Sequence, residues 1–261
     1  MPKPKTSMVH RTALPAVLLA VVVAVAGCGG SQPAGPAAVP SSTAVAAPAS
    51  PLPSRVDLGD APAYVALAAV DVTVFDRPGG GVVAVFPAKL PWGSSMPFLV
   101  RQAHRDDAGV TWLNVSLPRR PNGSSGWLRG DQVRLRPVAY EVVVDLSSRT
   151  ARLLRNAPRA QLAGRHWSSQ HPHPTGRFYL TVKLRPPQIS SVYGAWALGL
   201  SGYSDVLEQF GTGDGQIALR GTADLGDLGQ EVSNGCVRMT NEIISSLATS
   251  LPLGTPVTIR A

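Results

Sequence analysis

Cys236, in the run Ser233-Asn234-Gly235-Cys236-Val237-Arg238-Met239, is one of two cysteines in the 261-residue chain. The other, Cys28, closes an apolar N-terminal stretch and has an explanation of its own, which leaves Cys236 as a lone thiol. Such a thiol is either a small buried hydrophobe or a nucleophile. The neighbours favour the nucleophile. Gly235 permits close backbone approach or a positive φ, Ser233 and Asn234 are polar turn formers, and Arg238 puts a fixed cation two residues on, which favours thiolate. A second cluster, His166, His171 and His173, precedes Pro174-Thr175-Gly176. The His171-Pro172-His173 pattern suggests a metal, but no further histidine follows at ligand spacing, so no metal is expected. These three histidines read as a solvated loop, from which they could reach a site.

The elements that must position Cys236 are a helix and a set of strands. From Thr240, a suitable N-cap, with Glu242 in the first turn, the residues Ile243, Ile244, Leu247 and Leu251 share one face before Pro252 and Gly254 stop the helix. Cys236 thus lies just ahead of a helix N-terminus, whose partial positive charge favours thiolate if the sulfur comes close. Tyr140–Leu146 and Ala151–Leu154 read as a hairpin, with further strands around Arg177–Leu184, Gln216–Leu219 and Pro256–Arg260. Between Tyr64 and Arg136 come short apolar runs: Val70–Val74, Val82–Phe86, Phe98–Arg101, Trp112–Val115, Trp127–Arg129 and Val133–Leu135. Turn clusters at 77–81 and 121–126 punctuate them, as in a small β barrel. Trp92, Trp112 and Trp127 suit a ligand groove or, more commonly, a core. The fold class is therefore mainly β: a small β barrel, then a β-rich unit with one or two helices.

Residues 1–28 read as an export signal, with Lys3, Lys5 and Arg11 ahead of an apolar stretch from Ala13 to Ala26 that is short for a membrane span. Its ending, Val25-Ala26-Gly27-Cys28, resembles the lipobox of bacterial lipoproteins, in which cleavage falls before a cysteine that receives lipid. That reading makes Cys28 a lipidation site and puts the protein in the cell-wall space, on the outer face of the plasma membrane. An ordinary signal peptide with an incidental cysteine is the alternative. Residues 29–60 are Pro-, Ala- and Ser-rich and read as a tether, which at about 3.1 Å per residue reaches on the order of 90 Å. The folded units are then 61–138, the small barrel, and 139–261. With 24 basic and 16 acidic residues the formal charge is +8, and removing the three basic residues of the signal leaves +5. That suits an anionic wall or lipid surface. No nucleic-acid partner is expected, because the chain is exported and has no Lys/Arg run interleaved with aromatics.

Tyr140 to Ala261 resembles the L,D-transpeptidase (YkuD-like) catalytic domain, whose signature is a His-Gly followed about fifteen residues later by Ser-His-Gly-Cys. The matching text here is Leu219-Arg220-Gly221-Thr222, then Ser233-Asn234-Gly235-Cys236-Val237-Arg238. Pro174-Thr175-Gly176-Arg177-Phe178 and Leu253-Gly254-Thr255-Pro256-Val257 are similar to the family's strand start and closing strand. A barrel ahead of this domain resembles bacterial Src-homology-3-like repeats through Gly126-Trp127-Leu128-Arg129. The resemblance implies acyl transfer: Cys236 attacks the L,D bond of a tetrapeptide stem in peptidoglycan, D-alanine leaves, and an amine on a second stem takes the acyl group. It implies Cys236 as nucleophile, backbone amides of Gly235 and Cys236 at the oxyanion, and Ser233 and Arg220 in catalytic positions. Arg238, Asn234, Gly221 and Tyr203 would face the peptide. No cofactor is implied.

Two positions depart from that family. Arg220 stands where the family has its basic histidine, and arginine stays protonated, so it cannot accept the thiol proton, although it could stabilise a thiolate. Asn234 replaces the histidine before Gly-Cys and keeps neutral hydrogen bonding. A wall-binding or scaffolding protein with impaired catalysis, and an L,D-carboxypeptidase or hydrolase using water, remain open beside the transpeptidase. So does oligomeric state.

Overall fold

The computed structural model describes residues 54–155, 164–165, 173–188, 193–209, 213–228 and 235–261. Cys28 and the signal, most of the tether, His166, His171, Ser233 and Asn234 lie outside the described residues. The first strands are β1 (Ser54–Val56), β2 (Ala63–Ala68), β3 (Val72–Phe75), β4 (Val82–Phe86), β5 (Pro97–Arg105), β6 (Thr111–Ser116), β7 (Ser125–Arg129) and β8 (Val133–Val138). They form one antiparallel sheet in the order β4-β3-β7-β6-β5-β2-β8, with β1 added along β5. Among the described residues no ladder joins β4 to β8, so this curled sheet is an open path. β1 draws the end of the expected tether onto the sheet. Strand alternation turns Val72, Val74, Phe98, Val115 and Leu128 into a buried core. Trp112 is buried and donates Nε1–H to Asp106 Oδ2 at 2.8 Å, whereas Trp92 is exposed.

Ala139 alone separates this sheet from the next, which contains β9 (Tyr140–Asp145), β10 (Thr150–Arg155), β11 (Gly164–Arg165), β12 (Gly176–Leu184), β13 (Ala197–Tyr203), β14 (Gln216–Arg220), β15 (Val237–Arg238) and β16 (Pro256–Arg260). The order is β11-β10-β9-β16-β12-β13-β14-β15, parallel only at β9–β16 and β14–β15. The expected β9–β10 hairpin is set by Asp145, whose Oδ1 accepts from Ser148 N and both turn hydroxyls. Helix α1 (Asn241–Ser250) begins as its sequence requires: Thr240 accepts from Ile243 N. Its face of Ile244, Leu247 and Ala248 packs on Leu198, Leu219 and Val257. Lys183 Nζ donates to Ala248 O in its last turn, at 2.6 Å, where a cation suits the carbonyl end.

The two cores are joined. Ala63, Val65, Leu99, Val138 and Tyr179 form a third buried cluster between the sheets, and the Tyr179 hydroxyl donates across it to Ser116 O. Gly254 (φ +85) must be glycine, because a Cβ there would lie 2.1 Å from Val65 Cγ2. A polar clamp adds to this seam. Arg120, on the β6–β7 loop, donates to Ser204 O (3.0 Å), Leu207 O (2.7 Å) and Asp214 O (3.2 Å) and lies 4.9 Å from the Tyr203 ring centre. Asn122 exchanges two hydrogen bonds with the Tyr203 backbone. Residues 50–261 accordingly make one compact unit.

Candidate active site

The parallel ladder between β14 and β15 aligns Leu219 with Val237 and Arg220 with Arg238. Residues in register on neighbouring strands project to the same side. The two arginines therefore stand together, and Cys236, two residues before Arg238, falls on their face. Both arginines are buried, 6% and 9% exposed. Two buried cations side by side cost several kcal/mol unless an anion offsets them. The Cys236 sulfur lies within hydrogen-bond reach of Arg220. Burial first, and then the Arg238 charge, pull Arg220 below its ordinary value, while the charge and hydrogen bond of the Cys236 sulfur, followed by Tyr193, push it back up. Arginine remains a cation throughout this balance. The guanidinium of Arg220 is thus a fixed cationic partner of the sulfur that accepts no proton from it.

Cys236 opens on a cavity of about 420 Å³ walled by Val182, Leu184, Ala197, Ile217 and Tyr193. The Tyr193 ring centre lies 6.0 Å from Arg220 Cζ. Gln216 also lines the cavity, but its amide is committed to Leu200 O at 2.7 Å and Thr181 Oγ1 at 3.1 Å. Gly235, buried at φ +98, makes the sharp approach to Cys236 that an L side chain would strain. Among the described residues no three His, Cys, Asp or Glu side chains gather as a metal-ligand set, and Cys236 forms no disulfide.

The remaining expected residues are placed differently. Tyr203 is taken up by the inter-sheet clamp: its hydroxyl donates to Pro118 O at 3.0 Å and Arg120 covers its ring, which corrects the expectation that it faces substrate. Gly221 serves packing, since a Cβ there would sit 2.3 Å from Asn241 Oδ1 and 3.0 Å from Ala195 N. Helix α1 starts where expected, after Thr240, and the guanidinium that hydrogen-bonds the sulfur is Arg220, from the neighbouring strand. Asn241 ties that helix to the site loops, accepting from Ala195 N (2.8 Å) and donating to Thr222 O (2.9 Å). Ser233 and Asn234 lie outside the described residues.

Two participants went unassigned in the sequence, Tyr193 and Asn241, and a third, His173, reads there only as one of three loop histidines that could reach a site. His173, expected on a solvated loop, is half-buried, and its Nδ1 lies 2.9 Å from Gly235 O. A carbonyl only accepts, so the ring proton is on Nδ1 and Nε2 carries the lone pair. Burial pulls its pKa below the ordinary histidine value, opposed by that hydrogen bond. Among the described residues Nε2 is buried and has no hydrogen-bond partner.

Comparison with known proteins adds one assignment. Residues 139–259 match the family model of the L,D-transpeptidase catalytic domain, YkuD. The chain is similar to the YkuD protein of Bacillus subtilis (strain 168), 36% identical over 86 residues, which are 33% of this chain. It spans 44% of the length of that relative. Among solved structures it is similar to Bd1075 of Bdellovibrio bacteriovorus, at 27% identity and a TM-score of 0.37 over 47% of each chain. An L,D-transpeptidase from Mycobacterium tuberculosis is similar at 14% identity and a TM-score of 0.40, over 58% of this chain and 90% of that one.

Proposed function

We propose that the L,D-transpeptidase catalytic domain of residues 139–259 performs acyl transfer on peptidoglycan stem peptides through Cys236, in an exported protein anchored by lipid at Cys28. The observation that carries this reading is the Arg220 guanidinium on the Cys236 sulfur beside an open cavity. In the first half, Cys236 Sγ forms a bond to the acyl carbon, the C–N bond breaks, and the departing amine takes a proton from water. In the second, an amine of another stem attacks the thioester, its proton passes to solvent, the C–S bond breaks and sulfur leaves as thiolate. The Arg220 and Arg238 cations beside Cys236 suit the free carboxylate that ends a tetrapeptide stem.

The same arginine supports a second reading. General acid–base help is typically worth 10²- to 10⁴-fold, and a guanidinium supplies none. A slow enzyme, or a protein that holds stem peptides without turning them over, follows from that deficit. Transfer to water in place of an amine is a third outcome of the same thioester. Intact-mass analysis after exposure to a carbapenem separates binding from chemistry, because the opened lactam stays attached to the nucleophile. One added acyl mass is expected, and none in Cys236→Ala. An unmodified, folded wild type would refute acyl transfer. Product analysis with a tetrapeptide then separates cross-link from hydrolysis. Anchoring is checked by whether Cys28→Ser moves the protein from membrane to medium; an identical distribution would sink it.

A further inference from the structure

We infer that His173 is a positioning residue that aims the backbone N–H of Cys236 by holding the Gly235 carbonyl. The inference rests on the acyl-transfer reading. Gly235 C=O and Cys236 N–H belong to one planar trans peptide, in which the two groups point in opposite directions. Fixing one therefore fixes the other. The His173 Nδ1–H donates to that oxygen at 2.9 Å, across a separation of 62 residues, so the restraint comes from outside the nucleophile's own loop. It also comes from a half-buried ring, three residues ahead of the strand β12 that runs through the middle of the sheet.

The peptide needs such a restraint. Gly235 is at φ +98, and glycine has more backbone freedom than any other residue. β15 is two residues long and is the last strand of its sheet. Met239 N donates towards β14, to Arg220 O at 2.8 Å. Strand amides alternate sides, so those of Val237 and Met239 face β14 and that of Cys236 is directed away from it. When sulfur attacks a carbonyl, the charge develops on an oxygen one bond from the carbon that sulfur is joining. The nucleophile's own N–H is the backbone donor closest to that oxygen, and a donor aimed in advance at the oxyanion is the stronger for it. The aim of the Cys236 amide is what His173 sets. Its Nδ1 performs this task with either charge on the ring, which distinguishes the role from that of a base.

The test uses the full mature protein with His173→Ala and His173→Asn, since the asparagine amide nitrogen can occupy the place of Nδ1. Two reactions of Cys236 are followed by mass: acylation by a carbapenem, which passes through an oxyanion, and alkylation by iodoacetamide, which does not. Loss of one oxyanion donor costs about 10²- to 10³-fold, and a misaimed one less, so His173→Ala should acylate roughly ten- to a hundredfold more slowly. Alkylation should stay within about twofold, and His173→Asn should recover most of the acylation rate. Circular dichroism confirms folding of each variant. Acylation unchanged in His173→Ala, or acylation and alkylation falling together, overturns the inference. If wild type itself is not acylated, the acyl-transfer reading fails separately, and the Cys236 amide resonance in a ¹⁵N-labelled sample decides the positioning. A shift in His173→Ala that His173→Asn reverses upholds it, and an unmoved resonance overturns it.

Discussion

Replacing Arg120 tests whether the two sheets are held together at the level of the site. The side chain donates to three carbonyls of the 203–214 segment and covers the Tyr203 ring. A hydrogen bond from a charged group is worth about 1.5–3 kcal/mol, but Arg120 is exposed, so about 1 kcal/mol for each is a fair discount. The cation–π contact adds about 0.5 kcal/mol at such a site. Arg120→Ala should therefore cost about 3 to 4 kcal/mol. For a unit of this size each kcal/mol lowers Tm by about 2–4 °C, so calorimetry should show a fall of roughly 6–16 °C. Arg120→Lys keeps the charge and loses the fork that spans several carbonyls, and should recover less than half of that. The clamped segment includes Ser204, whose Oγ would lie 3.8 Å from a Cβ on Gly235, so carbapenem acylation should slow several-fold as well. A Tm within about 2 °C of wild type for Arg120→Ala, or a lysine variant equal to wild type, would refute the clamp as argued.

Arg220→Ala should slow iodoacetamide alkylation of Cys236 at pH 6 by roughly tenfold, since one charge-assisted hydrogen bond to sulfur is lost. Arg220→His should raise acyl-transfer turnover by restoring a proton acceptor, and alkylation unchanged in Arg220→Ala would show that the guanidinium does not govern the sulfur. The Asp145 carboxyl is held well below the usual carboxylate range, first by Ser148 N–H, then by the Ser147 and Ser148 hydroxyls and, against desolvation, by Arg260. A depressed folded value gives stability that is complete above the unfolded value of about 4 and is lost as pH falls through the folded one. The Tm gap between wild type and Asp145→Asn should thus be present at pH 7 and shrink below about pH 4; a constant gap down to pH 3 would contradict it.

Much of this fold is legible where a segment's own pattern decides its structure. The Thr240 cap, the apolar face after it and Pro252 mark α1 without reference to anything else. The β9–β10 hairpin and the strands around 177–184, 216–219 and 256–260 carry enough large apolar residues to stand out. β13 does not, because Gly199 and Gly202 occupy positions where Val182 and Phe178 leave no room for a Cβ, and a strand thinned that way reads as loop. β2 was blurred for a related reason: half of Ala63–Ala68 is alanine. In the site, Cys236, Arg238 and Arg220 were legible as types in a motif. That Arg220 and Arg238 are register partners was not, since it follows from a parallel pairing between segments that are not neighbours in sequence. His173 read as solvated for the same non-local reason: the carbonyl it is bonded to lies 62 residues further on.

The seam of Val65, Leu99, Val138 and Tyr179, closed by Gly254 and the Arg120 clamp, leaves only Ala139 between the sheets and no slack in it. A chain built this way behaves as a calliper with its jaws locked. The place of the first sheet relative to Cys236 is therefore set by side-chain packing across the seam, not by the length of a linker.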